Sequence, residues 1–516
     1  VWAPAVVVSA AVLLPVVYLV VRAAGAGPGL WDLIANPRTV LLIINTLVLA
    51  AAVTATALLI AVPIAWLTTR TDLPWANGWG VLASVPLVVP SYVCAFTVGT
   101  FFGPVGSLQR LLEPLIGVAR LPDIRGFPGA WLTLSLVTYP YVLLSARAGL
   151  RGIDPSMDEA ARSLGEGEAR IFRRITAPLL WPSVRAGAGL VALYVLSDFG
   201  AVSMMHYESL TTAIYLQYQG SFNRHYAAAL SLVLVALAIL IGLPDRDDDR
   251  PRFHRLGAGA PRRRRLVALG RWTAPALIFC TGVVGVGIAL PVGVLVFWML
   301  AAVRGGEPWS MISAPLARSV YVSAITAAVA LLAALPIGVL SVRYGGRLAA
   351  LSVRLAHAAY ALPGLVVALS LVFMAARYAP IVYQTMGLLV FAYVVHFLPQ
   401  ALGPIRAALL QVNPSQEEAA RTLGRTQGET VRTVTIPLVR SGMVAAAALV
   451  FLTTMKELPA TLLLSPTGFD TLATYIWSAT NGGQYSAAAP AALVLLAASS
   501  ASLWWLLRRD APGPAV

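Results

Sequence analysis

Apolar runs of about 20 residues, each long enough to cross a bilayer as a helix, recur from one end of the chain to the other. A backbone inside hydrocarbon must satisfy its own polar groups, so runs of this length and number dictate an all-α polytopic membrane protein. The pattern predicts twelve spans. They fall at roughly 2–21, 40–67, 79–102, 131–150, 184–203 and 226–243, then at 274–300, 317–340, 355–375, 379–403, 441–464 and 485–507. Of the 516 residues 58% are hydrophobic and 11% charged, well outside the usage of soluble domains. The first run lacks a basic leader and a clear cleavage site, so it reads as a true span. Prolines in the second, third, eighth and ninth spans, Pro63, Pro86 and Pro90 among them, predict kinked or broken helices.

The formal charge of +15 comes almost wholly from arginine, with Lys456 the single lysine. In a membrane chain such basicity sets topology; it gives no reason to expect a nucleic-acid partner. With a cytoplasmic amino terminus, 27 of the 37 basic residues fall on the cytoplasmic side. The positive-inside rule therefore predicts both termini in the cytoplasm. Residues 244–272 form a charged, Pro- and Gly-bearing linker, whose Arg262–Arg265 run suits a membrane-surface anchor beside the seventh span. Cys94 and Cys280 both lie in apolar runs and support neither a disulfide framework nor a metal cluster.

The two halves are copies. AVPIAWLTTR at 61–70 matches ALPIGVLSVR at 334–343, and PSYVCAF at 90–96 matches PGLVVAL at 363–369, both shifted by 273. Beyond these blocks the shift is 259, which gives the first half 14 extra residues, expected in a long external loop around 103–130. Six spans return the chain to its starting side, so the repeats are parallel and imply a pseudo-two-fold axis along the membrane normal. The domains are then 1–243 and 273–516, joined by the linker.

Each half also carries a polar segment. Residues 158–178 read DEAARSLGEGEARIFRRITAP and residues 417–437 read EEAARTLGRTQGETVRTVTIP. A charged stretch kept in both copies of a membrane protein points to a docking surface for a water-soluble partner. Glu159 and Glu418 suit the first turn of a helix, or pairing with an arginine of the partner. Ala160, Ala161, Ala419 and Ala420 permit close helix approach. Gly165 and Gly424 permit a sharp turn between two short helices. Pro178 and Pro437 suit the start of the next helical segment. No Walker A sequence is present, so no ATP site is visible in the chain.

The pattern Glu-Ala-Ala, three residues, Gly, nine residues, Ile-x-Leu-Pro resembles that of permease subunits of binding-protein-dependent ABC importers. The first copy offers Glu159, Ala160, Ala161, Gly165, Ile175 and Pro178, with Ala177 in place of Leu. The second offers Glu418, Ala419, Ala420, Gly424, Val434 and Pro437, with Ile436 in place of Leu. The resemblance covers nearly the whole chain. It implies the type I importer permease fold, a bacterial inner-membrane location and contact with membrane lipids. It implies that Glu159–Gly165 and Glu418–Gly424 are coupling helices, each engaging one of two cytoplasmic ABC ATPase subunits. Those subunits would bind ATP and Mg; the chain itself would be a transport subunit, not an enzyme, with no cofactor of its own. An extracytoplasmic substrate-binding protein would deliver the cargo.

Within that family the fused two-permease length resembles the iron(III) and thiamine importers, and the phrases LSDFGAV at 196–202 and KELPATLLLSPTGFDTLATYIW at 456–477 resemble the iron(III) group. Asp198 and Glu457, equivalent by the 259 shift, lie late in the fifth span of each half. Ionisable groups at membrane depth usually face protein or water, so both are candidates to line a passage, and carboxylates suit iron(III). The competing reading is that each caps a broken helix. Lys456 beside Glu457 weakens a metal-ligand role, so no metal site is assigned. Met204 and Met205 are unsuited to iron(III); Tyr207 and Glu208, at the external end of the span, are candidates to face a docked binding protein, against the favoured reading of an interfacial tyrosine and a solvated glutamate; His396 and Trp477 are pathway candidates without an evident partner. Thiamine or a polyamine is the alternative cargo. An ion-gradient-driven secondary transporter is the alternative class, and it leaves the two Glu-Ala-Ala segments unexplained.

Overall fold

The structure, a computed structural model, describes residues 2–25, 35–220, 224–242, 266–306, 310–360 and 362–509. Among the described residues, regular structure is helical apart from one isolated parallel bridge between Thr71 and Val267. The Arg262–Arg265 run and most of the linker lie outside them.

Among the described residues, ten helices are long and apolar enough to cross a membrane by length and composition, where the sequence pattern predicts twelve spans, some of them broken at proline. The difference has local causes. In the ninth span the helix Gly364–Tyr378 is too short to be counted, and it follows Pro363 in extended conformation (φ −57°, ψ 136°). The twelfth counts only over Tyr485–Ser500. The third span breaks where Pro86 and Pro90 predict. A 3-10 turn at Val85–Val88 ends there, and the chain re-enters helix at Ser91–Phe102 after extended Pro90 (φ −61°, ψ 143°). Pro90 and Pro363 are repeat equivalents, and each starts its helix without a backbone donor to leave unpaired. The loop expected to hold the extra residues of the first half contains an amphipathic helix, Ser107–Ile116.

The fifth spans break as well. Ala177–Ser197 stops at Asp198 and resumes as Gly200–Met204, and Ile436–Met455 stops at Lys456 and resumes as Pro459–Leu464. After each break comes a helix that the apolar pattern does not reveal, Leu210–Gly220 and Leu472–Asn481. Both alternate small, hydroxyl and aromatic side chains, so neither reads as a span.

The chain divides into two compact units, and these are not its sequential halves. One comprises residues 41–209 and 237–297; the other comprises residues 1–40, 210–236 and 298–516. Within the second unit, the chain's first helix, Trp2–Ala24, packs on Ser310–Val339, Gly346–Tyr360 and Gly364–Tyr378. The Ser370 hydroxyl donates to the Pro15 carbonyl at 2.6 Å, and Tyr18 meets Tyr378 edge-on. Within the first unit, Ala276 and Cys280 of the seventh span pack with Leu73. Further along, a Cβ on Gly287 would stand 3.1 Å from Pro86, so the seventh span and the third-span break lie in close contact. Each unit thus takes its leading span from the other repeat. Large apolar side chains such as Leu59, Ile278 and Leu332 remain exposed on the spans, as expected where lipid is the solvent.

Candidate functional site

The polar segments fold alike in both repeats. Asp154 caps Pro155–Ser163 by accepting the Ser156 N–H at 3.0 Å, and Asn413 caps Pro414–Thr422 by accepting the Ser415 N–H at 3.1 Å. Proline at the first helical position follows each cap, where its missing donor has no cost. Both helices end in the same way. Gly165 has φ +82° and Gly424 has φ +85°. The Gly165 and Glu166 amides reach the Arg162 and Ala161 carbonyls at 2.9 and 3.1 Å; those of Gly424 and Arg425 reach Arg421 and Ala420 at 2.9 and 3.2 Å. This is a Schellman ending, which requires a left-handed residue at the turn.

The helix starts correct one expectation. Glu159 and Glu418 lie in the second turn; the acids of the first turn are Asp158 and Glu417. Pro178 and Pro437 stand where expected, at the second position of Ala177–Ser197 and Ile436–Met455. Each of these helices continues from a π-helical turn, Phe172–Thr176 or Val431–Thr435. The wide turn spaces the preceding carbonyls around a residue that cannot donate a hydrogen bond.

The two faces of each short helix differ. Asp158, Ala161, Glu417 and Ala420 are buried, while Glu159, Ala160, Glu418 and Ala419 are exposed. Leu164 and Leu423, equivalent residues just before the turn glycines, are 83% and 84% exposed. Arg162 donates to Glu168 from Nε at 2.6 Å and from Nη2 at 3.1 Å, which holds its guanidinium pKa above the ordinary value.

On the buried face stands a pair of residues that sequence reasoning left unused. Arg70, the last residue of Pro37–Arg70, forms an ion pair with Asp158 and donates to the Leu150 carbonyl at 3.4 Å. Arg343, its repeat equivalent, pairs with Glu417 at 3.1 Å and donates to the Val412 carbonyl at 3.2 Å. The signal was in the matched blocks, which end on Arg70 and Arg343, and in the first letters of the polar segments.

The membrane acids are also placed alike. Asp198 Oδ1 accepts the Ala201 N–H at 2.9 Å, and Glu457 Oε1 accepts the Ala460 N–H at 3.3 Å. Each carboxylate therefore caps the short helix that resumes its broken span. Lys456 is the half-buried residue at the preceding helix end. Gly364 leaves room for Glu457: a Cβ there would stand 2.9 Å from Oε1 and 3.5 Å from His396 Nε2. Trp477 lies on Leu472–Asn481 and meets Tyr215 edge-on. Just beyond the first-repeat break, Met205 is buried. The Tyr207 hydroxyl donates to the Asn45 carbonyl at 2.9 Å, and Asn45 donates to the Glu208 carbonyl at 3.1 Å. Among the described residues, no three His, Cys, Asp or Glu side chains gather as a metal-ligand group.

Residues 61–244 and 328–508 match the family described as "Binding-protein-dependent transport system inner membrane component". The chain is 32% identical over 480 residues to the "Fe(3+)-transport system permease protein FbpB 2" of Haemophilus influenzae, covering 92% of this chain and 91% of that protein. Shorter relatives match over one repeat's length. The "Molybdenum transport system permease protein ModB" of Escherichia coli is 31% identical over 38% of this chain and 89% of its own. The "Probable sulfate transport system permease protein cysT" of Prototheca wickerhamii is 28% identical over 34% of this chain and 70% of its own. With one family match per repeat, each enclosing one Glu-Ala-Ala segment, the chain belongs to the binding-protein-dependent transport system inner membrane components, as a permease with two repeats in one polypeptide.

Proposed function

We propose that this permease imports iron(III), driven by ATP that two cytoplasmic ABC ATPase subunits hydrolyse, one docked on each Glu-Ala-Ala segment. ATP and Mg belong to those subunits. An extracytoplasmic binding protein delivers the iron, and both termini lie in the cytoplasm, the arrangement that the arginine distribution favours. The observation that carries the coupling role is the twice-repeated surface. Glu159, Ala160 and Leu164 in one repeat, and Glu418, Ala419 and Leu423 in the other, are exposed on short helices whose opposite faces are buried. Iron(III) is favoured by the relative of matching length whose name carries it. Asp198, Glu457 and Lys456 are the pathway candidates; each acid spends one carboxylate oxygen on its cap.

The test is uptake of radiolabelled iron(III) into vesicles holding the permease and its ATPase, with the cognate binding protein outside. ATP-dependent iron uptake is expected. Uptake of thiamine or molybdate without iron would overturn the cargo, and uptake driven by an ion gradient without ATP would overturn the transporter class.

A further inference from the structure

Each coupling segment rests on a narrow base. Pro155–Ser163 buries only Asp158 and Ala161. In Pro414–Thr422, among the residues whose burial is described, only Glu417 and Ala420 are buried. Helices of nine residues are marginal in isolation and take their orientation from tertiary contacts. One alanine methyl and one buried ion pair supply most of the buried contact from each helix. The arginine in that pair is a junction. Arg70 joins the end of the second span, the Leu150 carbonyl near the end of the fourth span and the coupling helix; Arg343 joins the same three elements of the second repeat. The cation also meets carbonyls at a helix C-terminus, where a positive charge is favoured.

In the first repeat the junction extends one step further. The Val267 N–H donates to the Arg70 carbonyl at 2.9 Å, the Asp72 N–H donates to the Val267 carbonyl at 3.2 Å, and the Leu269 N–H donates to Asp72 Oδ1 at 2.8 Å. The described end of the linker is therefore stitched to the residues that follow Arg70. In the second repeat, Trp2 at the start of the first span meets the ring of Tyr344, the residue after Arg343. In both units the exchanged leading span begins beside the junction arginine.

We propose that Arg70 and Arg343 are positioning residues for energy coupling: each clamps its repeat's coupling helix to the second and fourth spans, so that a displacement of that helix is delivered to the spans. The proposal rests on the coupling role given above for the Glu-Ala-Ala segments. A buried ion pair adds little net stability over a packed apolar pair, yet it fixes geometry, and loss of one partner strands the other charge. Two repeats that have diverged elsewhere hold the same pair, one with aspartate and one with glutamate, as expected if geometry is what the pair supplies.

The experiment uses the full chain with its ATPase and binding protein in vesicles. It reads three quantities: ATPase retained on the permease, cargo moved per ATP with radiolabelled iron(III) as probe, and amide exchange of the coupling helices. Arg343→Gln should retain the ATPase, lower cargo per ATP about tenfold and speed exchange in 414–424 without changing exchange in the second span of its repeat. The charge swap Arg343→Glu with Glu417→Arg should restore at least half of the coupling. Arg343→Lys, which keeps the charge but not the forked geometry, should accumulate normally and fall between. Unchanged cargo per ATP in Arg343→Gln and Arg343→Lys would overturn the proposal, as would equal loss in the swap and the single variant with normal accumulation. Failure of the docking role itself reads differently: wild-type permease would not retain the ATPase at all.

Discussion

Asp198 Oδ1 accepts the backbone N–H of Ala201 at 2.9 Å across the break in the fifth span. The carboxylate thus has a structural task whatever else it does, and Glu457 has the same task toward Ala460. Side-chain chemistry separates the two roles. Asparagine caps as well as aspartate does, whereas alanine costs about 1 kcal/mol at such a position. Asp198→Asn should therefore accumulate and unfold like the wild type, and Asp198→Ala should be less stable. If the negative charge also serves the passage, iron uptake falls in both. Wild-type uptake in Asp198→Asn would leave the acid with the cap alone.

Leu164 and Leu423 expose large apolar side chains on the two Glu-Ala-Ala segments, at equivalent places. A lone exposed apolar residue is ordinary, but one at the same place in both repeats is a candidate contact for the partner proposed above. Leu423→Asp should leave thermal unfolding unchanged, because the side chain has little to lose on folding. Its association with the ATPase should weaken by tenfold or more, measured by co-purification against ATPase concentration. Undiminished association in the double variant with Leu164→Asp would remove the exposed leucines from the docking surface.

Gly424 tests the turn separately from the surface. No atom lies within 4 Å of a Cβ built there, so substitution meets only the cost of its backbone, φ +85°. For an ordinary residue that cost is roughly 1–2 kcal/mol, and asparagine tolerates the conformation best. Amide exchange at 419–425 should accelerate in the order Asn, Ala, Val, and ATPase stimulation should fall in the same order. An equal effect from all three would mean that the turn geometry is irrelevant to coupling.

Much of this was legible because the chain states it twice. The spans follow from run length, the breaks from Pro86, Pro90 and Pro363, and the turn from Gly165 and Gly424. The Arg70–Asp158 pair was not legible, since 88 positions separate residues that only the fold brings together. Nor was the exchange of leading spans: the residues of Trp2–Ala24 are apolar on every side and carry no sign of which repeat they pack against. The helices Leu210–Gly220 and Leu472–Asn481 escaped because a mixed surface of threonine, alanine and aromatic residues has neither a span's hydropathy nor a loop's breakers.

The two junctions differ by one methylene, and the difference is measurable. Glu417 Oε1 accepts the Thr435 hydroxyl at 2.9 Å in addition to its contact with Arg343. Thr176 is buried at the equivalent place in the first repeat, and Oδ1 of the shorter Asp158 has no hydrogen-bond partner among the described residues. A buried acceptor left unsatisfied is unfavourable, and a typical net hydrogen bond contributes about 1 kcal/mol. Glu417→Asp should therefore destabilise the second junction by about 1 kcal/mol, because it strands the Thr435 hydroxyl. Asp158→Glu should be neutral or stabilising by up to about 1 kcal/mol, because the longer side chain reaches toward Thr176 as Glu417 reaches Thr435. Thermal unfolding of the purified full chain, run side by side for both variants and for each combined with threonine-to-valine at its own site, checks the assignment. Valine should abolish the gain of Asp158→Glu and should add little to the loss in Glu417→Asp. A gain from Asp158→Glu that survives Thr176→Val would mean that the extra methylene acts through packing and not through the hydroxyl.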